Sequence, residues 1–215
     1  MKKHFKHSLF LFSLFLLWTV SVCFIDVKNI GPQNSSVGLS SLNLFFHKLF
    51  GVHLNLYYIT DFLSIIPLLF IAGFGFIGLI QLIKRKNILK VDFNIIMLGV
   101  FYIVVMAFFV FFEIFSINYR PILIEGVLEA SYPSSTTMLS VCVMLTAAFQ
   151  FNIRIKNKTL KKSVSLLIYI FTFFMITARL ISGVHWFTDI IGGLLLSFSL
   201  VFMYYNICNK KSPVN

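Results

Sequence analysis

Charge is scarce in this chain of 215 residues, and acidic charge is the scarcest. Only 12% of the residues are charged and seven are Asp or Glu, whereas 59% are hydrophobic and 27 are phenylalanine. A soluble domain carries about 25% charged residues, so this composition excludes an ordinary soluble protein. It predicts a polytopic membrane protein instead.

Cysteine is also rare. Cys23, Cys142 and Cys208 lie in or at the end of apolar segments, at unrelated spacings. Three such residues provide neither a disulfide framework nor a metal site. We therefore expect no metal and no cofactor. The chain also lacks long linkers, internal repeats and low-complexity segments, which predicts one membrane domain over residues 1–215.

Six apolar stretches are each long enough to cross a bilayer, which takes about 20 helical residues. They cover approximately residues 8–26, 57–83, 93–116, 134–153, 163–181 and 186–207. The predicted fold is all-α, with six transmembrane helices. Residues 1–56 provide the first helix and an external interfacial segment that includes a short helix, and residues 57–207 provide the core.

Basic residues alternate between the segments that connect these spans. Fourteen of the 18 Lys and Arg residues fall in segments 1–6, 84–90, 154–162 and 209–211. The positive-inside rule then places both termini in the cytoplasm of a multi-pass plasma-membrane protein. The net charge of +11 reflects this topology and does not indicate nucleic-acid binding.

The segment from Arg179 to Asp189 gathers three ionisable residues at the edge of a membrane span. Such clusters are costly there and indicate a working site. His185 and Asp189 are four residues apart, so a helix would place them on one face. The carboxylate can then accept the Nδ1 proton and leave Nε2 as a nucleophile. The alternative is a His–Asp pair that only caps a helix.

Two further groups are predicted at the same outer level. Arg120 lies in the loop over 117–133, and Ser134 and Ser135 begin the fourth span after Pro133. A helix start is a ready anion site. Each group taken alone has a simpler interpretation: Arg120 as an arginine at the membrane interface, and the two serines as a helix cap. Together with Arg179 and His185, they predict a phosphate site with a nucleophile on the outer face.

The order and spacing of these residues resemble the type-2 phosphatidic acid phosphatase family, integral membrane phosphatases related to vanadium haloperoxidases. Its third motif is Ser-Arg, five residues, His, three residues, Asp, and here reads Ala178-Arg179 through His185 and Asp189. Its second, Pro-Ser-Gly-His, reads Pro133-Ser134-Ser135-Thr136. Its first, Lys, six residues, Arg-Pro, reads Glu113 through Arg120-Pro121. The resemblance covers roughly residues 57–207.

The resemblance implies a phosphatase-type helical bundle core and a mechanism without a metal. His185 would attack phosphorus to form a phosphohistidine, with Asp189 orienting it. The groups implied to bind the phosphoryl oxygens are Arg120, Arg179, Ser134 and the backbone N–H of Ser135.

Two departures from the family pattern affect the expected chemistry. Glu113 replaces a phosphate-binding lysine, and Thr136 replaces the histidine that protonates the leaving oxygen. Losing a general acid typically costs about 10²–10⁴ in rate. A diphosphate loses a stable phosphate anion and needs that proton least, so Thr136 favours a polyprenyl diphosphate over a phosphatidic-acid-like monoester. His47, His53 or Glu113 could substitute as the acid.

The leading prediction is a lipid phosphatase or diphosphatase whose partners are its lipid substrate and membrane lipids. The alternatives are a lipid phosphotransferase and a catalytically silent phospholipid-binding homologue. A transporter is least favoured, because the spans carry no charge near their midplanes. The sequence leaves the lipid and the oligomeric state open.

Overall fold

The computed structural model of the protein describes residues 2–211. Its α-helices and strands in that range are α1 (Lys2–Phe24), β1 (Lys28–Asn29), β2 (Ser36–Val37), α2 (Ser40–Phe50), α3 (Leu54–Leu63), α4 (Ile65–Arg85), α5 (Phe93–Ile114), α6 (Ser135–Arg154), α7 (Lys158–Ile181) and α8 (Phe187–Lys211), with short 3₁₀ helices at Pro32–Asn34 and Ile88–Lys90. The two short strands form an antiparallel pair in which Lys28 is paired with Val37. The all-α prediction is confirmed.

Six helical stretches in the described part are long and apolar enough to cross a membrane, and they coincide with the six predicted spans. The second of these covers Leu54–Arg85 and contains both α3 and α4. The break falls at Ser64. Pro67 follows one turn later and has no N–H to donate to the Leu63 carbonyl, which is a physical reason for an interruption there.

The bundle is organised around α6, whose small and hydroxylated side chains are buried on several faces. Helices α4, α5, α7 and α8 all pack against it, and α1 packs along α8. The first and last helices of the described part, α1 and α8, therefore pack against each other. One polar contact in this interface runs from the Ser199 hydroxyl to the Ser8 carbonyl.

Three connecting segments, residues 25–53, 115–134 and 182–186, meet at one end of the bundle, which we call the site end. Glycines permit this convergence. A Cβ on Gly192 would lie 2.6 Å from the Tyr132 ring, and one on Gly183 would lie 2.0 Å from the Gly51 carbonyl oxygen. Gly183 also has a φ of +68°, in the left-handed region that favours glycine.

The opposite end of the bundle holds a different set of charges. Asp92 pairs with Arg85 at 2.9 Å and with Arg154 at 3.5 Å. These arginines belong to two of the basic segments recognised in the sequence. The predicted short helix of the interfacial segment is α2, at the site end, where Phe46 stacks on Phe187 with ring centroids 3.9 Å apart.

Candidate phosphate-binding active site

His185 lies in the turn just before α8, and Asp189 lies in the first turn of that helix. His185 Nδ1 is 3.5 Å from Asp189 Oδ2, and both side chains are buried. The distance is slightly longer than a hydrogen bond, as is common for catalytic pairs without substrate. The predicted pairing of histidine and carboxylate is therefore present in the structure.

The Asp189 carboxylate is held by groups from two other segments. Oδ2 accepts a hydrogen bond from the Trp186 backbone N–H at 2.9 Å, and Oδ1 accepts one from Asn118 Nδ2 at 3.4 Å. The Asp189 carbonyl accepts from the Ser134 N–H at 3.0 Å. This last bond joins the start of α8 to the start of α6, so the two predicted halves of the site are in direct contact.

Asn43 and Asn118 are positioning residues that the sequence reasoning missed. The Asn43 amide makes two bonds to Thr188, accepting from its N–H at 3.1 Å and donating to its hydroxyl at 3.0 Å. Asn118 also accepts a hydrogen bond from the Gly38 N–H at 3.3 Å. Asn43 therefore ties α2 to the start of α8. For Asn43, the only signal in the sequence was one polar side chain among several in an amphipathic segment.

Arg120 is presented by a hairpin-like loop. The loop is closed by hydrogen bonds from Arg120 N–H to the Glu129 carbonyl and from Ser131 N–H to the Asn118 carbonyl. Trp186 Nε1 donates to the Tyr119 carbonyl at 2.7 Å and thereby fastens the loop beside His185. Arg120 Nε lies 2.9 Å from Glu129 Oε2.

Arg179 lies in the last turn of α7 and is only 1% exposed. Its Nη1 donates to the Tyr57 carbonyl at 3.3 Å and to Thr60 Oγ1 at 3.0 Å, and its Nη2 is 3.9 Å from Asp61 Oδ1. All three partners belong to α3. The ring of Tyr57 also lies under the guanidinium group of Arg179 and under that of Arg120. No motif in the sequence indicated Tyr57.

Two buried guanidinium donors of this site, Arg120 Nη1 and Arg179 Nε, have no hydrogen-bond partner within the described part of the chain. Unsatisfied buried donors are costly, particularly on charged groups. An anion carrying several acceptor oxygens, such as a phosphoryl group, would satisfy them together.

The environment of His185 favours its neutral form. Burial lowers the pKa of His185 well below its ordinary value, and the positive charges of Arg120 and Arg179 lower it further. A neutral imidazole has a free lone pair on one ring nitrogen and can act as a nucleophile. The same two arginines that can bind an anion therefore also keep the imidazole unprotonated.

The predicted helix start is present at α6. Ser134 is its N-cap, and the Ser134 hydroxyl accepts a hydrogen bond from the Thr137 N–H at 3.4 Å. The capping role considered for the serines thus holds in this structure. Ser135 is the first residue of the helix, and a helix leaves the N–H groups of its first turn without internal acceptors. Because the Thr137 N–H is taken by the cap, the N–H groups of Ser135 and Thr136 are the ones suited to an anion.

The two residues that depart from the family pattern lie beside α6. Thr136 is buried and lines a cavity of about 240 Å³ between α4, α5 and α6. Glu113 is exposed at the end of α5 and lines a narrow cleft with Ser131 and Ser135.

The two histidines considered as substitute acids have different surroundings. The His47 ring lies 5.4 Å from the Trp186 ring, centroid to centroid, and burial lowers its pKa, which disfavours the protonated form. His53 is exposed, with Nε2 2.8 Å from the Phe50 carbonyl oxygen.

The sequence profile of the PAP2 superfamily matches residues 100–213 of this chain. The matched range contains Arg120, Ser134, Arg179, His185 and Asp189. The chain belongs to the PAP2 superfamily. The resemblance that the three motifs suggested is thereby confirmed.

The fold of this PAP2 protein is similar to a solved structure. That structure is described as the first transmembrane PAP2 type phosphatidylglycerolphosphate phosphatase from Bacillus subtilis, and the match has a TM-score of 0.64 at 18% sequence identity. It covers 97% of this chain and 98% of the other. A comparison with curated proteins gives no significant match. Together, the family and the fold support a membrane phosphatase in general terms.

Proposed function

We propose that this protein hydrolyses a phosphorylated membrane lipid through a phosphohistidine on His185. One observation carries the proposal: Arg120 and Arg179, which keep buried donors without partners among the described residues, both lie over the Tyr57 ring, which packs against Val184 next to His185, and Asp189 adjoins the imidazole. This combination provides an anion site and a neutral nucleophile in the same place.

In the first chemical step, His185 Nε2 attacks phosphorus while the bond from phosphorus to the leaving oxygen breaks. The Nδ1 proton stays on the ring, and the Asp189 carboxylate stabilises the resulting positive charge. Arg120, Arg179 and the N–H groups at the start of α6 bind the phosphoryl oxygens as negative charge accumulates there. In the second step, water attacks phosphorus, the electron pair of the N–P bond returns to Nε2, and inorganic phosphate leaves with the protons of the water.

The leaving group receives the electron pair of the broken bond. An alkoxide from a phosphomonoester would require a proton, whereas a lipid phosphate released from a diphosphate is already a stable anion. Thr136 cannot supply a proton near neutral pH. We therefore favour a polyprenyl diphosphate substrate over a phosphatidic-acid-like one, because its hydrolysis depends least on the missing acid.

The surroundings of the site also support a lipid substrate. The cavity beside Thr136 is lined mainly by apolar side chains of α4, α5 and α6, among them Leu68, Val105 and Leu139. We propose that the hydrocarbon tail of a bound lipid occupies this cavity, which Ser135 at the start of α6 also lines.

We infer that the active site faces the outside of the plasma membrane and that both termini are cytoplasmic. The positive-inside rule supports this orientation. Arg85 and Arg154 lie at the end of the bundle opposite the site end, together with the basic segments to which they belong. We also keep the proposal that residues 1–215 form one membrane domain, supported by the packing of α1 along α8.

A catalytically silent lipid-phosphate binder is the second candidate, favoured by the replacements at Glu113 and Thr136. It would retain the anion site and lack turnover. A phosphotransferase would share the first chemical step and pass the phosphoryl group to an acceptor other than water.

The decisive experiment uses purified protein in detergent, polyprenyl diphosphate and phosphatidic acid as substrates, and released phosphate as the readout. His185→Ala should abolish turnover, since covalent catalysis needs the nucleophile. Asp189→Asn should retain a residual turnover roughly 10³–10⁴-fold below that of wild type, because the carboxylate orients and stabilises the imidazole. His7→Ala, on α1, is the matched histidine control. Wild-type activity in His185→Ala would exclude the proposed mechanism.

A further inference from the structure

Tyr57 lies in the first turn of α3, outside the residues that the PAP2 profile matches. We propose that its ring is a positioning element of the phosphate site, holding the guanidinium groups of Arg120 and Arg179 where both can bind one phosphoryl group. This inference rests on the proposed function, and it assigns a specific part of that function to a residue that the family motifs do not include.

The geometry places one aromatic ring in contact with both cations. The Cζ atom of Arg179 lies 4.6 Å from the Tyr57 ring centroid, and the Cζ atom of Arg120 lies 5.6 Å from it. Both distances are within the range of about 6 Å over which a cation is attracted to an aromatic face. Two arginines that converge on one anion repel each other in its absence, and the negative ring face offsets part of that repulsion.

The chemistry of the ring explains why an aromatic residue suits this position. A carboxylate partner occupies guanidinium N–H groups and would compete with a phosphate for them. An aromatic ring instead contacts the flat face of a guanidinium and leaves its N–H edge free. Arg120 Nη1 and Arg179 Nε are the edge donors without a partner among the described residues.

The ring itself is held in place. Tyr57 forms a small apolar cluster with Ile124 of the Arg120 loop and with Val184, which precedes His185. The Tyr57 carbonyl accepts a hydrogen bond from Arg179 Nη1, and Thr60 Oγ1 accepts a second bond from the same nitrogen. Tyr57 thus contacts the end of α7, the Arg120 loop and the turn that carries His185.

The test measures binding of orthovanadate and inorganic phosphate to the full-length protein in detergent, together with lipid turnover. Tyr57→Phe keeps the ring and should bind both anions within about twofold of wild type. Tyr57→Leu removes the ring and should weaken anion binding and kcat/KM by roughly tenfold, the size expected from two partly desolvated cation–π contacts. Phe62→Leu, an exposed aromatic on the same helix, is the control and should match wild type.

A second series separates electrostatics from packing. Replacement of Tyr57 by phenylalanines with one, two and three ring fluorines weakens the negative face in steps while largely preserving the shape of the ring. Anion affinity should fall stepwise through this series, with unchanged melting temperatures. A flat series, or a Tyr57→Leu protein that binds vanadate like wild type, would overturn the inference.

The inference and the proposed function can fail separately. A wild-type protein that binds vanadate without hydrolysing any lipid would refute the hydrolase, whereas the fluorinated series would still test the ring. A wild-type protein that binds neither anion would refute the role of the ring as well.

Discussion

His185 lies beside two guanidinium groups and is almost completely buried, so its charge state is set by its neighbours rather than by bulk solvent. Unprotonated imidazole is the form that attacks phosphorus. Because burial and then the two arginines lower the pKa of His185, this form persists at pH values where an ordinary histidine is charged. The activity should therefore tolerate acid.

We predict that kcat/KM stays on its plateau as the pH falls past about 6.5, the ordinary pKa of histidine. Activity should be lost only at lower pH, when the lowered pKa of His185 is crossed and the nucleophile becomes protonated. The measurement is a pH profile of kcat/KM, which reports the free enzyme. The ionisation of the substrate phosphate is titrated separately by phosphorus NMR. Its contribution to the pH dependence of kcat/KM is then removed by dividing the rates by the fraction of substrate in the reactive ionisation state. An acidic limb centred at or above pH 6.5 that persists in Asp189→Asn would contradict a lowered pKa for His185.

Thr136 carries the second prediction at this scale. Diphosphate lipids should be hydrolysed much faster than phosphomonoester lipids with the same tail. Thr136→His should raise monoester hydrolysis more than diphosphate hydrolysis, by about 10²-fold if a working general acid is restored. The cavity of about 240 Å³ at this position offers room for an imidazole.

Thr136→Val, which removes the hydroxyl at nearly constant volume, is the matched control. It should leave the ratio of the two rates unchanged. Equal wild-type rates on the two substrate types, or no selective gain with histidine, would remove the argument for a diphosphate.

At the scale of elements, the seam between α4 and α5 carries one continuous stripe of side chains. This stripe lines the outer cavity beside Thr136. It also lines a second, apolar cavity of about 510 Å³. From the N-cap residue of α4 onward, the stripe recurs every three or four residues, at Ser64, Leu68, Ile71, Gly75, Gly78 and Leu82. At 1.5 Å per residue it extends about 27 Å, close to the thickness of the hydrocarbon core.

We therefore predict that Gly75→Leu impairs hydrolysis of long-tailed lipids. A Cβ on Gly75 would meet nothing within 4 Å, so the side chain can enter the seam without disturbing the helix pair. The expected result is a roughly tenfold rise in KM for a long-tailed substrate, reflecting lost burial of a few methylene groups. Turnover of a short-chain, water-soluble phosphate should not change.

Gly73 provides the control, because it lies on a different face of α4 and a Cβ there also meets nothing within 4 Å. Gly73→Leu should behave like wild type with both substrates. Equal effects of the two substitutions would show that the seam does not bind the tail.

Some elements followed directly from the sequence and others did not. Hydropathy located the six spans, because length and apolar composition are local properties of the chain. The separation of α3 from α4 was less visible, since Pro67 predicts a kink without saying what the short helix contacts. Its role depends on packing: α3 lies against α7 and holds Arg179.

At the scale of the whole molecule, orientation decides which pool of lipid the site can reach. We predict that the site end faces outward. Asn118 in the Arg120 loop is buried and unsuited to labelling, whereas Val127 in the same loop is 57% exposed. In a chain whose native cysteines are replaced by alanine, Val127→Cys should react with an impermeant thiol reagent in intact cells.

Thr159→Cys, in the exposed first turn of α7 at the opposite end, should react only after the cells are permeabilised. The reverse pattern would place the site in the cytoplasm and exclude an external substrate. Equal labelling of both positions in intact cells would indicate a mixed orientation.

The sequence by itself determined the helical membrane class, the six spans and the pairs that lie within one turn of each other. His185 with Asp189, and Ser134 with the start of α6, belong to this group, because the spacing of a helix fixes such pairs. The predicted topology also placed Arg120 and Arg179 at the same membrane level, and the family motifs agreed with that set.

Only the tertiary structure decided how Tyr57, Asn43 and Asn118 contribute to the site. Tyr57 meets Arg179 and Asn43 meets Thr188 across more than 100 residues of chain. Such contacts depend on which helices pack together and on where glycines let loops approach. No local period in the sequence records that packing, since it is the outcome of all the helix interfaces at once.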